Sequence, residues 1–345
     1  MKYKLFGNSG LRVSELSLGT MGFGKEWNWG ADYEQSKAIF DVYANAGGNF
    51  IDTANLYTEG TSEKYLGDFI KADRDHFVLA TKYTLKDRNG DPNFAGNHRK
   101  NMFRSVNESL KRMQTDYIDV LWLHIWDFTT HPEEIMRGLN DLVSKGIVHY
   151  IGISDTPAWI VSQANTLAEL RGWNKFAGLQ IEYNLINRTA ERDLLPMAKA
   201  FDLAVTPWAP LAGGALTGKY LKGDKGRLPD NSKRLNERST TIAQKVVDMA
   251  NQLGCTPAQV ALKWTMQRKQ VMIPIVGATK PEQLTDALGC VNVSIPDALM
   301  QELDEVSKFE LGFPGDFYNE PGVIDVVYGQ TKHEIMNHRS YSIHL

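Results

Sequence analysis

Short apolar runs rich in β-branched and aromatic residues alternate with longer stretches of helical spacing almost to the end of the chain. The runs predict strands at 16–18, 49–52, 77–81, 118–123, 150–153, 178–181, 204–206 and 272–275. Helical periodicity predicts helices at 33–46, 62–70, 98–113, 133–145, 157–171, 191–201 and 240–253, with an extra one at 257–269 before the last strand. Asp32, Thr61 and Asn97 stand where N-caps belong, and Gly47, Gly146, Gly172 and Gly254 stand where a left-handed residue ends a helix. Repeated βα units with eight strands predict an α/β fold, a single (β/α)8 TIM barrel.

Residues 3–13 alternate in polarity around Gly7, Asn8, Ser9 and Gly10, which predicts an N-terminal β-hairpin capping the barrel floor. Residues 209–238 form a long connection after the seventh strand, and periodicity fades beyond Phe309. No linker rich in Pro, Gly or Ser divides the chain. The expected organisation is a barrel domain over 1–309 and an extended C-terminal tail over 310–345, near the barrel mouth.

The chain of 345 residues is 42% hydrophobic and 23% charged, enough apolar material for a large core, so a disordered class is excluded. A net charge of -3 leaves no cationic surplus for a phosphate backbone, and no nucleic-acid partner is expected. The 2 cysteines cannot staple a chain this long, which fits a reducing, cytoplasmic setting. Neither a signal sequence nor a membrane segment is expected. The 8 histidines form no close ligand pair, so no metal is expected. The sequence leaves a homo-oligomer open.

In a parallel barrel, chemistry collects where the strands end. Polar residues there are Asp52 (second strand), Lys82 (third), His124 (fourth), Ser154 and Asp155 (fifth), Gln180 and Glu182 (sixth) and Trp208 (seventh), with Tyr57 shortly after Asp52. Strands two to four are neighbours, so Asp52, Tyr57, Lys82 and His124 can converge. Singly, each has a structural explanation: a cap, a loop contact, a solvated charge, a core histidine. Together they suit proton chemistry. A nearby ammonium favours a phenolate, which predicts that Lys82 lowers the pKa of Tyr57, while Asp52 would be the counter-ion that a buried Lys82 requires.

The segments 49–57, 81–82, 117–124, 152–154, 180–184 and 206–211 resemble, in sequence and order, the aldo-keto reductases. The likeness runs from about Tyr3 to Phe309, and residues 172–173, 180–183 and 191–196 resemble its aryl-alcohol dehydrogenase-like branch. The resemblance implies a nicotinamide-dependent oxidoreductase acting on a small carbonyl or alcohol substrate. Tyr57 would be the acid and base, Lys82 and Asp52 would tune it, and His124 would orient the carbonyl.

No early Gly-x-Gly-x-x-Gly is present, so a dinucleotide needs another cradle. Residues 213–219 satisfy Gly-x-x-x-x-Gly-Lys, but Tyr220 replaces the hydroxyl residue of a P-loop, which disfavours a nucleotide triphosphatase. The resemblance implies that Trp208 stacks on the nicotinamide while Ser154 and Gln180 hold its carboxamide. It further implies Thr20, Asp52, Pro210, Leu211, Gly213, Leu216 and Lys219 along the cofactor, and Gly277, Thr279, Lys280 and Gln283 at its adenosine end. Asp155 and Ala287 stand where the family often has Asn, and Lys280 is the cation available for a 2′-phosphate. NADPH is favoured and NADH stays open.

Trp27, Trp29 and Trp126, with Tyr57 and His124, are candidate substrate contacts; Phe128, Phe313, Phe317 and Tyr318 suit either substrate contact or loop anchoring. Two other readings are a cofactor-sensing module, since ion-channel β subunits resemble the same family, and a barrel glycosidase using Asp52 and Glu182.

Overall fold

In the computed structural model, which describes residues 1–229 and 231–336, the chain opens with an antiparallel hairpin, β1 (Tyr3–Leu5) and β2 (Arg12–Ser14). Eight parallel strands follow: β3 (Ser17–Gly19), β4 (Phe50–Asp52), β5 (Val78–Tyr83), β6 (Ile118–Leu123), β7 (Val148–Ser154), β8 (Gly178–Glu182), β9 (Ala204–Trp208) and β10 (Ile275–Gly277). Each pairs with its sequence neighbour and β10 pairs with β3. The ring closes where Val205 N–H donates to Val271 O at 2.9 Å and Ile273 N–H donates to Val205 O at 2.8 Å. This is the expected (β/α)8 barrel, with its hairpin.

The last strand begins later than the sequence suggests. Met272 makes only an isolated bridge to Val205, and the regular pairing with β3 starts at Ile275. Pro274 lies between them, and its missing amide proton interrupts the ladder.

The surrounding helices are α1 (Tyr33–Asn45), α2 (Thr61–Ile70), α3 (Arg99–Met113), α4 (Pro132–Ser144), α5 (Ala158–Arg171), α6 (Leu194–Ala200), α7 (Glu237–Leu253), α8 (Pro257–Met266), α9 (Pro281–Leu288) and α10 (Asp297–Val306). Asp32 caps α1 through Gln35 N–H, in a reciprocal capping box. The other two expected caps are displaced. Thr61 is the first residue of α2, behind Gly60 in the left-handed region. His98 caps α3, its Nδ1 accepting from Asn101 N–H at 3.2 Å, while Asn97 Oδ1 accepts from the Thr84 hydroxyl at 2.8 Å. A separate one-turn helix, Thr189–Glu191, precedes α6, which therefore starts later than expected. The tail contains two short helices, α11 (Gly315–Tyr318) and α12 (Pro321–Tyr328); residues 337–345 lie outside the described region.

Strand parity divides the core into two layers. Ile51, Leu79, Leu121, Ile153, Leu179 and Val205 face the helices, whereas Phe50, Val78, Ala80, Val120, Trp122 and Ala204 fill the barrel. Trp122 is the largest filler, and the backbone makes room for it. A Cβ on Gly152 would lie 2.3 Å from its ring, and one on Gly178 would lie 2.5 Å from Phe6. Phe6, carried by the hairpin, plugs the floor edge-on against Phe50 (5.7 Å) and Trp122 (5.9 Å).

The Phe6 ring is fully buried, so Phe6→Ala should destabilise the protein by about 3–5 kcal/mol. Urea denaturation should show a lower midpoint with the slope retained, and a loss below about 1 kcal/mol would mean that the hairpin does not close the floor.

Candidate functional site at the barrel mouth

The inward-facing series that fills the barrel changes character at its upper end. Phe50 is followed by Asp52, Val78 and Ala80 by Lys82, Val120 and Trp122 by His124, Gly152 by Ser154, Gly178 by Gln180, and Ala204 and Thr206 by Trp208. Chain direction and parity thus deliver polar groups to one layer above an apolar plug.

Lys82 is fully buried, and its ammonium has three partners: Asp52 Oδ2 at 2.5 Å, Thr53 O at 2.8 Å and the Tyr57 hydroxyl at 3.1 Å. The other Asp52 oxygen accepts from Gln180 Nε2 at 2.8 Å, so strands β4, β5 and β8 meet at one carboxylate. Thr20 donates from its hydroxyl to Asp52 O at 3.0 Å; this residue is buried and supports the end of β4.

Tyr57 opens a tight turn, Tyr57–Gly60, in which Thr58 and Glu59 have φ of 46° and 55°. A β-branched residue in that region needs support. The buried Thr58 hydroxyl supplies it by donating to Phe23 O at 2.5 Å, which joins the Tyr57 turn to the loop bearing Trp27 and Trp29. Tyr57 is half-buried, with its hydroxyl at the enclosed end of the ring. The His124 ring meets it edge-on at 6.0 Å, and Trp27 does so from another side at 6.4 Å.

Burial raises the Tyr57 pKa; the Lys82 charge pulls it down, and Asp52 acts against Lys82. The net direction is upward. The influence of Lys82 has the expected sign, but removal of the hydroxyl from water outweighs it. For Lys82, burial alone would favour the neutral amine, but Asp52 and Tyr57 reverse this and raise its pKa. His124 is pushed well below its usual value by burial, with the Lys82 charge adding in the same direction. Around neutrality the site therefore presents an ammonium, a phenol and a neutral imidazole.

On the opposite side of the mouth, the half-buried Trp208 donates its indole N–H to Asp155 Oδ1 at 3.1 Å, and the Arg234 guanidinium lies 5.8 Å from its ring. Arg234 is paired with Glu182 at 2.6 Å. Asp155 therefore orients the indole. After β9 the backbone curls through the turn Ala212–Thr217, with Ala209, Ala212, Gly213, Gly214 and Gly218 all at positive φ. Such a curl gathers backbone N–H groups into a concave anion receptor. Pro210 and Leu216 are buried beneath it, and the partly buried Leu211 packs on the outer core. Lys219 lies beside Gly214 and Gly226. On the neighbouring strand, Gly277 ends β10, and Thr279 donates through its N–H and hydroxyl to Gln283 Oε1 at 3.1 and 3.2 Å. Lys280 is exposed at the start of α9. Ala287 is buried in the apolar core.

A nicotinamide dinucleotide fits this set of residues. The Ser154 hydroxyl is buried without a hydrogen-bond partner among the described residues, beside Gln180 in register. Such an orphan hydroxyl suits a carboxamide, and the curl and Lys219 suit a diphosphate. Trp27 and Trp29 form a half-buried wall, 6.2 Å apart, around Tyr57. Trp126 is only 7% exposed and packs in the outer core, so little of its surface can meet a ligand. Phe128 is exposed, and Phe313 and Phe317 pair with each other at 6.0 Å. Sequence reasoning missed Arg227 and Arg234. The only trace of them was the basic character of the long loop.

Asp52 and Glu182, the carboxylates of the glycosidase reading, are each committed to a cation at hydrogen-bond distance. Neither is free to act as an acid. No helix among the described residues is long and apolar enough to cross a membrane.

Residues 15–308 match the Aldo/keto reductase family. Similar proteins include a norsolorinic acid reductase of Aspergillus flavus, 36% identical over 92% of this chain and 83% of its own. An aryl-alcohol dehydrogenase [NADP(+)] of Phanerodontia chrysosporium is 35% identical over 94% and 90%. Norsolorinic acid reductase B of Dothistroma septosporum is 38% identical over 89% and 81%. The chain belongs to the aldo/keto reductase family, in its aryl-alcohol dehydrogenase-like branch, and is a nicotinamide-dependent oxidoreductase of carbonyl and alcohol groups.

Proposed function

We propose that the protein is an NADPH-dependent reductase of aromatic aldehydes or ketones, with Tyr57 as proton donor, and that the reaction is reversible. The observation that carries this reading is the Tyr57 hydroxyl held 3.1 Å from a buried ammonium, with a neutral imidazole at its side. The reductase and dehydrogenase names of the relatives support the substrate class, and the NADP(+) in one of them supports the cofactor. Residues 1–309 would form the catalytic barrel, with 310–345 as its tail.

When bound, the nicotinamide would supply the hydride for the carbonyl carbon. His124, kept neutral, donates a hydrogen bond to the carbonyl oxygen and fixes its position above Tyr57. As that oxygen gains negative charge, Tyr57 transfers its phenolic proton to it, and Lys82 stabilises the phenolate left behind. Asp52 keeps Lys82 charged and in place. Ser154 and Gln180 would hold the carboxamide against Trp208, the curl with Leu211, Gly213 and Lys219 would take the diphosphate, and Thr279, Lys280 and Gln283 would meet the adenosine end.

Tyr57→Phe keeps the ring and removes the proton. Carbonyl reduction should fall by roughly 10²- to 10⁴-fold, while NADPH binding, followed by fluorescence titration, stays within about 3-fold. Undiminished reduction would remove Tyr57 from the chemistry.

The pKa directions set the pH profile. Reduction needs protonated Tyr57 and neutral His124, one raised and the other lowered. The kcat/KM of reduction should therefore stay level through neutrality, with no inflection near the ordinary histidine value of about 6.5, and should decline only above the ordinary phenol value of about 10. A neutral inflection that tracks His124 would contradict the assignment.

Lys280 is the exposed cation proposed for the 2′-phosphate. Lys280→Met should narrow the preference for NADPH over NADH by about 10-fold in parallel titrations. An unchanged ratio would transfer cofactor choice to other residues.

A further inference from the structure

Within the reductase reading, the mouth holds a cation that the mechanism does not use. Arg227 belongs to the long loop after β9, but its guanidinium lies 4.3 Å from the centre of the Trp29 ring, on the loop after β3. The local fold holds it there. Leu228 N–H donates to the Tyr220 hydroxyl at 2.9 Å, and a Cβ on Gly213 would come within 2.7 Å of Leu228 Cδ2, so the loop is packed down on the curl next to Arg227.

Among the described residues, four carboxylates near the mouth have other partners: Asp52 has Lys82, Glu182 has Arg234, Asp155 accepts from Trp208, and Glu26 accepts from the Thr61 hydroxyl. Arg227 has no carboxylate partner among the described residues, and it lies within electrostatic reach of Tyr57 and the like charge of Arg234. A guanidinium resting on a ring retains its N–H donors for a carboxylate or a phenolate. Lys219 lies on the curl, whereas Arg227 lies on the aromatic wall. That wall runs without a break from Tyr57 through Trp27 (6.4 Å) to Trp29 (6.2 Å) and then to Arg227.

We infer that Arg227 is a specificity residue that selects flat aromatic carbonyl compounds bearing an anionic substituent remote from the reacting carbon, a carboxylate or an ionised phenol. The ring of such a substrate lies along Trp27 and Trp29 with its carbonyl at Tyr57, and its anionic group pairs with Arg227. The inference rests on the reductase reading above.

The test compares wild type, Arg227→Met and Arg227→Lys on benzaldehyde and para-carboxybenzaldehyde with NADPH. Arg227→Met should lose roughly 10- to 100-fold in kcat/KM for the carboxylate substrate, chiefly through KM, while benzaldehyde stays within about 3-fold. Arg227→Lys should restore part of the loss, and added salt should erode the wild-type preference for the carboxylate. Equal losses on both aldehydes would overturn the inference, as would no change on either. Weakened NADPH binding with selectivity unchanged would also overturn it and assign Arg227 to the diphosphate. If wild type reduced neither aldehyde, the reductase reading would fail separately. Quenching of tryptophan fluorescence by para-carboxybenzaldehyde would still test the anion site, because loss of that quenching in Arg227→Met supports it and equal quenching overturns it.

Discussion

A fully buried ammonium at the top of the barrel is the constraint around which the site is organised. Lys82 has no exposed surface, and a lone charge there would cost several kcal/mol. Asp52 offsets that cost at 2.5 Å, Thr53 O accepts a second hydrogen bond, and the Tyr57 hydroxyl lies at 3.1 Å. Removing either ion would leave its partner charged and dry, a loss of about 3–5 kcal/mol. Tyr57 is thus placed by an electrostatic requirement as well as by its own turn. Gln180 extends the arrangement by holding the second Asp52 oxygen, which connects strands on opposite sides of the ring.

The barrel was legible because its signals are local. Strand parity and the glycines ending helices are properties of short windows, and all eight strands lie close to where apolar runs predict them. The convergence of Asp52, Tyr57, Lys82 and His124 was legible for a related reason. Once Phe50 and Ala80 are known to face inward, Asp52 and Lys82 must do so as well, two residues further on. Family resemblance added the roles, and parity explains the meeting. The errors were local competitions: Pro274 against strand continuation, and His98 against Asn97 for a cap that either side chain could supply.

What the sequence did not reveal depends on contacts between distant loops. Nothing near position 227 signals that its guanidinium will rest on Trp29, and nothing near 234 signals Glu182. Such pairings follow from how the long loop after β9 folds back across the mouth, fixed by one hydrogen bond to Tyr220 and by packing on Gly213. Burial was equally hidden. The influence of Lys82 on Tyr57 could be stated from the sequence, but the net direction could not, because desolvation is a property of the assembled mouth.

Two potential proton donors stand side by side at this mouth, and the same ammonium separates their roles. Burial and the charge of Lys82 both disfavour an imidazolium, so His124 offers an N–H without carrying a surplus proton. For Tyr57 the two effects oppose each other: burial keeps the phenol protonated in the resting site, whereas Lys82 becomes more favourable as negative charge appears on the phenolic oxygen. An acid of this kind holds its proton until a stronger base forms next to it, and a developing alkoxide is such a base. In the proposed mechanism this difference divides the work, orientation falling to the imidazole and transfer to the phenol, around one buried charge whose own partner, Asp52, lies on the adjacent strand.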